Sequence, residues 1–186
     1  AGNYSIVQPT GLTANITPAT LNVTGVTANS RTYDGTTVAT LGGGATVAAL
    51  GGDSVTVTGT GVGAFANKNV GLSKAVSVSG YSLTGPNAGN YTLLQPTGLT
   101  ANISAASLTV SGLSGVDRVY DATTGVALSG TAALAGIVGA DVVNPLNTAT
   151  GSFASKNVGT AKLITTAITL GGADAGNYVV AQPTGL

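Results

Sequence analysis

The stretch AGNYSIVQPTGLTANIT, residues 1–17, returns as AGNYTLLQPTGLTANIS at residues 88–104, and its first part returns again as AGNYVVAQPTGL at residues 175–186. Thirteen of the 17 positions in the first pair are identical, and the step is 87 residues each time. Self-similarity at a fixed period is the signature of modules strung end to end, which act by reach and surface more than by catalysis. The chain opens and closes at the same phase of its repeat, and so reads as a window on a tandem array.

Working outward, Tyr33-Asp34-Gly35-Thr36-Thr37 matches Tyr120-Asp121-Ala122-Thr123-Thr124 at the same step of 87. Phe65-Ala66-Asn67-Lys68-Asn69-Val70-Gly71 matches Phe153-Ala154-Ser155-Lys156-Asn157-Val158-Gly159 at a step of 88. One residue is gained between these motifs and lost again before Ala175, as expected of insertions in loops. A boundary near Pro18 gives three parts. Residues 1–17 are the terminal strand segment of a preceding repeat, residues 18–104 are a complete module, and residues 105–186 are a second module without the final strand.

Composition sets the class. Charged residues make up 6% of the chain, six basic against six acidic, and Glu, His, Cys, Met and Trp are absent. With 43% hydrophobic residues the chain is too apolar for a disordered one, and 87 residues suffice for a modest core. Zero net charge without a basic cluster argues against nucleic acid or an anionic membrane as partner. The longest apolar run, Ala132 to Ala140, is too short to cross a bilayer. Lack of Cys leaves the compartment open, since long secreted arrays also avoid cross-links.

Apolar and polar residues alternate at Leu21/Val23, Val55/Val57, Val76/Val78, Leu99/Ala101/Ile103 and Leu108/Val110, which predicts strands. Five to seven strands per module and at most one short helix are expected. The helix candidates are Ala45–Leu50 and Thr131–Val138, both Ala-rich and both flanked or interrupted by Gly. Asp34-Gly35 signals a turn with positive φ, and Ala122 in the same place predicts another turn type or local strain. The expected architecture is all-β, with tandem Ig-like β-sandwich modules of about 87 residues. A β-grasp-like sheet with one helix is the alternative, and a continuous β-helix ranks third.

The ordered motifs YDGTT, FANKNVG, GPNAGNY and QPTGLTANIT resemble the YDG-type repeat of large bacterial surface adhesins, which are filamentous-haemagglutinin-like and exported by the two-partner route. The resemblance covers essentially the whole chain, twice over. It implies an extracellular or bacterial-cell-surface protein whose β modules form a stalk or filament in cell adhesion, cell–cell contact or biofilm. It supplies no catalytic residue and no ligand.

The recurring residues read as structural. Tyr33-Asp34-Gly35 and Tyr120-Asp121 fit strand-end anchors and turns, with each hydroxyl bonded locally, although a ring beside a carboxylate also suits a sugar. Phe65 and Phe153 belong to the second motif, and Asn90-Tyr91 and Asn177-Tyr178 open a strand with the ring turned inward. Lys68 and Lys156 suggest a solvated turn or pairing with Asp53 or Asp141, against the sharper reading of a Lys–Asn isopeptide cross-link. Asp53 and Asp141 are too few for a calcium site. Sequons at Asn3, Asn15, Asn22, Asn90 and Asn102 arise readily in so Asn- and Thr-rich a chain.

With no His, Cys or Glu the usual acid–base and nucleophile sets are missing, so no enzyme activity, cofactor or metal is expected. Partners are then neighbouring copies of the repeat, head to tail, with a host or cell-surface glycan or protein as the alternative ligand. If residues 1–186 are a protomer, Thr13, Ala14, Asn15, Ile16 and Thr17 form a strand available to complete the sheet of the next copy. A continuous array that simply runs on is the other reading.

Overall fold

A computed structural model describes residues 2–186. The chain is all-β, with two one-turn 3-10 helices at Ala88–Asn90 and Ala175–Asn177. Residues 2–18 contain no strand. The first module then runs through β1 (Ala19–Asn22), β2 (Thr24–Ala28), β3 (Arg31–Thr32), β4 (Val38–Ala39), β5 (Leu41–Thr46), β6 (Thr56–Thr58), β7 (Val62–Phe65), β8 (Gly71–Ser79), β9 (Ser82–Thr84), β10 (Tyr91–Leu94) and β11 (Leu99–Ser104). The second comprises β12 (Ala106–Gly115), β13 (Gly125–Ala135), β14 (Asn144–Leu146), β15 (Thr150–Phe153), β16 (Ile164–Thr166), β17 (Thr169–Gly171) and β18 (Tyr178–Ala181).

The two topologies coincide. β12 is the uninterrupted form of β1 plus β2, and β13 that of β4 plus β5. In both modules the first strand pairs in parallel with the GNY strand, β1 with β10 and β12 with β18. The ladder then continues antiparallel through β2–β5 and β4–β7–β8, or through β12–β13–β15–β16. A separate two-stranded arm, β6–β9 or β14–β17, stands beside it.

The sheet curls strongly into a half-barrel in each module. A physical cause of the curl is visible where β2 meets β5. The register slips between Thr24 and Val26, and Gly25 and Gly43 face each other there at φ +79° and +78°. A Cβ on Gly43 would collide with the Gly25 carbonyl oxygen. Only glycine lets the backbones close up, and the bulge adds twist.

The all-β, modular expectation holds, while an Ig-like sandwich is not shown. Each module contains a parallel pair, which a purely antiparallel sandwich lacks. The β-grasp alternative needs a helix, and among the described residues only the one-turn 3-10 helices occur. Both helix candidates fail. Ala45-Thr46 ends β5, and Thr131–Ala135 continues β13 against Thr109–Ser111. Pairing along a neighbouring strand overrides Ala's mild helix preference in runs too short to nucleate a helix.

Ile103, Leu108 and Ile168 are the fully buried large side chains. Tyr33, Phe65, Val76, Ala101 and Ile103 of the first module share one apolar cluster with Leu108, Val143 and Tyr178 of the second. β11 lies between β8 (antiparallel) and β3 (parallel), and only Ala105 separates it from β12. The strand that closes one half-barrel therefore feeds directly into the next.

Ile103→Ala should cost about 3 kcal/mol in urea unfolding, from lost burial plus the cavity left behind. Ala122 adopts φ +66°, close to the +79° of Gly35, so the second copy keeps the turn type and bears the strain. Relief of that strain, less the backbone entropy of glycine, gives Ala122→Gly an expected gain of about 0.5–1 kcal/mol in the same assay.

Candidate functional site: the junction between the modules

The YDG turn is built the same way in both copies. The Asp34 carboxylate accepts from the Thr36 backbone N–H and hydroxyl, each at 2.9 Å, and Asp121 accepts from Thr123 at 2.9 and 2.8 Å. This Asx-turn leaves the next residue in the left-handed region. Arg31 and Arg118 reach forward three residues to pair with Asp34 and Asp121. Their guanidinium groups sit over the Phe65 and Phe153 rings, at 5.4 and 5.7 Å from the ring centres. Burial acts upward on Asp34, but the Thr36 donors and Arg31 outweigh it and hold the carboxyl below its usual range. Arg118 and then Thr123 hold Asp121 down to about 2.

Asp141 is the centre of the junction. Its Oδ2 accepts from the Tyr33 hydroxyl at 2.6 Å and the Tyr178 hydroxyl at 2.7 Å, and its Oδ1 from Lys68 Nζ at 2.8 Å. The side chain is 8% exposed. The Tyr178 oxygen also accepts from the Val138 backbone N–H at 3.0 Å. The two rings meet edge to face, with centres 5.4 Å apart at 74°. Lys68 stands 3.7 Å from Asp174, and the Val70 N–H donates to Asn177 Oδ1 at 3.0 Å. Tyr33, Lys68 and Val70 belong to the first module, the others to the second. The Tyr33 hydroxyl is thus bonded 108 residues away, not locally as its turn setting suggests.

Charge and hydrogen bonding act together on this cluster. Lys68, then the two tyrosines, hold the Asp141 carboxyl down to about 2. The same carboxylate, followed by Tyr33, raises Lys68 above its ordinary value. Burial, then Asp141, raises Tyr33 and Tyr178. The arrangement favours one protonation state across the neutral range, with lysine charged, carboxylate ionised and both phenols neutral. It is suited to holding two bodies together.

Within the first module the same pattern is half complete. The Tyr91 hydroxyl donates to Asp53 Oδ2 at 2.8 Å and accepts from the Leu50 N–H at 3.0 Å, as Tyr178 does with Asp141 and Val138. The hydrogen bond to Asp53, then burial, raises Tyr91. At the far end of the second module Tyr120 is 55% exposed, against 3% for its counterpart Tyr33. Val158 and Lys156 are exposed there too.

Several contributors are not evident from motif reading. Gln95 and Gln182 act as side-chain rungs of the ladder. Gln182 donates Nε2 to the Ile168 carbonyl at 2.8 Å and accepts from its N–H at 2.9 Å, and Gln95 treats Tyr81 the same way. Their recurrence in QPTGL is the available signal. Arg31 and Arg118 also recur at a step of 87, outside the motifs that attract attention. Lys68 pairs with Asp141, one of the two acids named from sequence. Among the sequons, Asn102 lies in β11 and accepts from the Ser73 N–H at 2.8 Å, whereas Asn15 is exposed outside any strand. Among the described residues no group of three or more potential metal ligands stands together.

Tyr33→Phe should cost about 1 kcal/mol, the usual worth of one buried hydrogen bond, and shift the urea midpoint accordingly. The acid response has a definite sign. The folded Asp141 sits near 2 against 3.8 unfolded, so the unfolded chain takes up more protons in between. The contribution of Asp141 is therefore full above about pH 4 and lost as pH falls towards 2. Asp121 titrates in the same window, so the difference between wild type and Asp141→Asn isolates the junction: the two urea midpoints should converge between pH 4 and pH 2.

Residues 17–98 and residues 104–185 each match the model of the YDG domain. No curated protein and no solved structure matches the chain. Both matched segments carry the Asx-turn, the stacked Arg–Phe pair and the Tyr–Asp bond that opens the GNY strand, and together they span most of the chain. This chain belongs to the YDG domain family, as two domains in tandem.

Proposed function

We propose that these domains are the structural repeat region of a bacterial extracellular adhesin or surface filament, forming stalk or fibre body in cell adhesion, cell–cell contact or biofilm. The observation that carries this reading is the junction itself. Its core is continuous across the two modules, its polar centre is fully partnered, and only Ala105 links β11 to β12. Such a joint resists bending, as a load-transmitting spacer requires. Among the residues that recur, Asp34 and Asp121 form turns, Arg31 and Arg118 stack on Phe65 and Phe153, and Tyr33, Lys68 and Tyr178 build the joint. Asp141, Lys68, Tyr33 and Tyr178 face one another at the junction.

A glycan- or matrix-binding role for the modules would draw on exposed aromatic anchors. Tyr4 and Tyr120 are the exposed aromatics, and their counterparts in the repeat are engaged: Tyr91 and Tyr178 bond Asp53 and Asp141, and Tyr33 docks a module. That correspondence favours the structural role.

Arrays of two, four and eight modules should lengthen by equal steps in small-angle scattering, the maximum dimension rising linearly with module number. A maximum dimension that levels off, as in a collapsed or freely jointed chain, would count against the stalk reading.

A further inference from the structure

The strand that opens on each GNY tyrosine is tied to its module from both ends. Among the described strands β10 pairs with β1 alone and β18 with β12 alone, in parallel and over four residues each. Side chains then fasten them. The first residue of β10, Tyr91, donates to Asp53 and accepts from the Leu50 N–H. Gln95, the residue just past its end, donates to the Tyr81 carbonyl and accepts from the Tyr81 N–H. Tyr178 and Gln182 bracket β18 in the same way, through Asp141 and Val138 at one end and Ile168 at the other. The Thr166 hydroxyl adds a bond to Gln182 Oε1 at 2.7 Å. The spacing Tyr-x-x-x-Gln thus frames one strand in both modules.

The direction of the chain gives this pair a mechanical meaning. Ala19 lies opposite Tyr91 and Asn22 opposite Leu94, and the Val23 N–H continues the ladder to the Leu94 carbonyl at 3.0 Å. Tension along a tandem array enters a module at the start of β1 and leaves beyond β10, by way of β11. Because β1 and β10 are parallel, those two points lie at opposite ends of the pair. Pulling them apart slides one strand along the other, and the rungs, which cross the line of pull, are strained together. Pulling both strands from the same end opens the rungs one at a time. β11 is in turn parallel to β3, so its exit end is also slid and not peeled. Sliding must draw buried side chains from their sites as well: Leu21 in β1 and Leu108, its counterpart in β12, are both buried.

We propose that the GNY strand and its parallel partner form a shear clamp that carries tension through each module. The tyrosine and glutamine at its ends are positioning residues: they hold the strand still while its partner is pulled past it. β10 has no second strand to anchor it, so without the bracket it would be dragged along with β1. Gln95 acts at the end where tension leaves the strand. Its two bonds to Tyr81 divert part of the load into the loop between β8 and β9 before it reaches the β1–β10 rungs. Gln182 does the same for β18 through Ile168, between β16 and β17.

The clamp rests on the structural reading above, yet the two fail separately: array length tests that reading, and the direction of force tests this one. The chain has no Cys, so engineered pairs define the pulling points in single-molecule force measurements. Pro18→Cys with Thr97→Cys loads β1–β10 in shear, and Pro18→Cys with Gly89→Cys pulls both strands from the same end. All three positions are exposed, and a Cβ at Gly89 meets nothing. At one pulling speed the shear pair should unfold at a force at least about twice that of the peeling pair, because forced unfolding follows the barrier along the pulled direction and not equilibrium stability. Gln95→Ala should lower the shear force and leave the peeling force unchanged, since its rung stands at the end that peeling reaches last. A merely stabilising glutamine would lower both. Equal forces along the two directions, or a Gln95→Ala effect that is the same in both, overturn the proposal. If arrays lengthen linearly while the two forces are equal, this proposal alone falls.

Discussion

The molecule depends on one carboxylate. Asp141 lies at the tip of a second-module loop, and three donors converge on it, two from the first module and one from its own. A buried carboxylate is stable only when its oxygens are occupied and a counter-charge is near. Tyr33, Tyr178 and Lys68 meet both conditions, and each is positioned by a recurring motif. The Asx-turn at Asp34 follows directly on Tyr33, which stands just past the end of β3. The one-turn helix before Tyr178 aims its ring at the joint, and the KNVG turn delivers Lys68. If one of these local structures changed, the others would be left with an unsatisfied buried group.

The apolar core and this polar centre reinforce each other. β11 closes the first half-barrel and continues into β12 after a single residue, so the path of the chain and the packing at the joint impose the same orientation. Ile103 and Leu108, on either side of that link, are the most buried large side chains of the shared cluster. Equivalent residues then show directly what a neighbour contributes. Tyr33 and Tyr120 occupy the same place in the repeat, and Tyr33 is buried against the second module whereas Tyr120 is 55% exposed.

Much of the site was legible in the sequence, though its meaning was not. The recurrence of Tyr33 and Tyr120, Lys68 and Lys156, and Asn90-Tyr91 and Asn177-Tyr178 marked the right residues. A turn's chemistry is local, so Asp34 and Asp121 could be read as turn-formers from a few neighbours. Ala122 could be read as a strained substitute for glycine for the same reason. The partner of Tyr33 could not be read, because Asp141 lies 108 residues away and looks, in its Gly-Ala-Asp setting, like any surface turn. Gln95 and Gln182 recur within QPTGL, but nothing local shows that the side chain serves as a backbone rung, since the partners Tyr81 and Ile168 lie 14 residues back.

The sequence by itself determined the modular, β-rich character of the protein, its period, its turns and its membership of a repeat family. Those properties follow from alternation, from glycine and Asx geometry and from self-similarity, all of which act over a few residues or by direct comparison of segments. The tertiary structure alone decided that the sheets curl into half-barrels with a parallel pair in each. It also decided that the Ala-rich runs become strand or loop, and that the tyrosines meet across a joint. Strand order and the burial of a charge depend on which distant segments come together, and that choice is made by the packing of the whole chain.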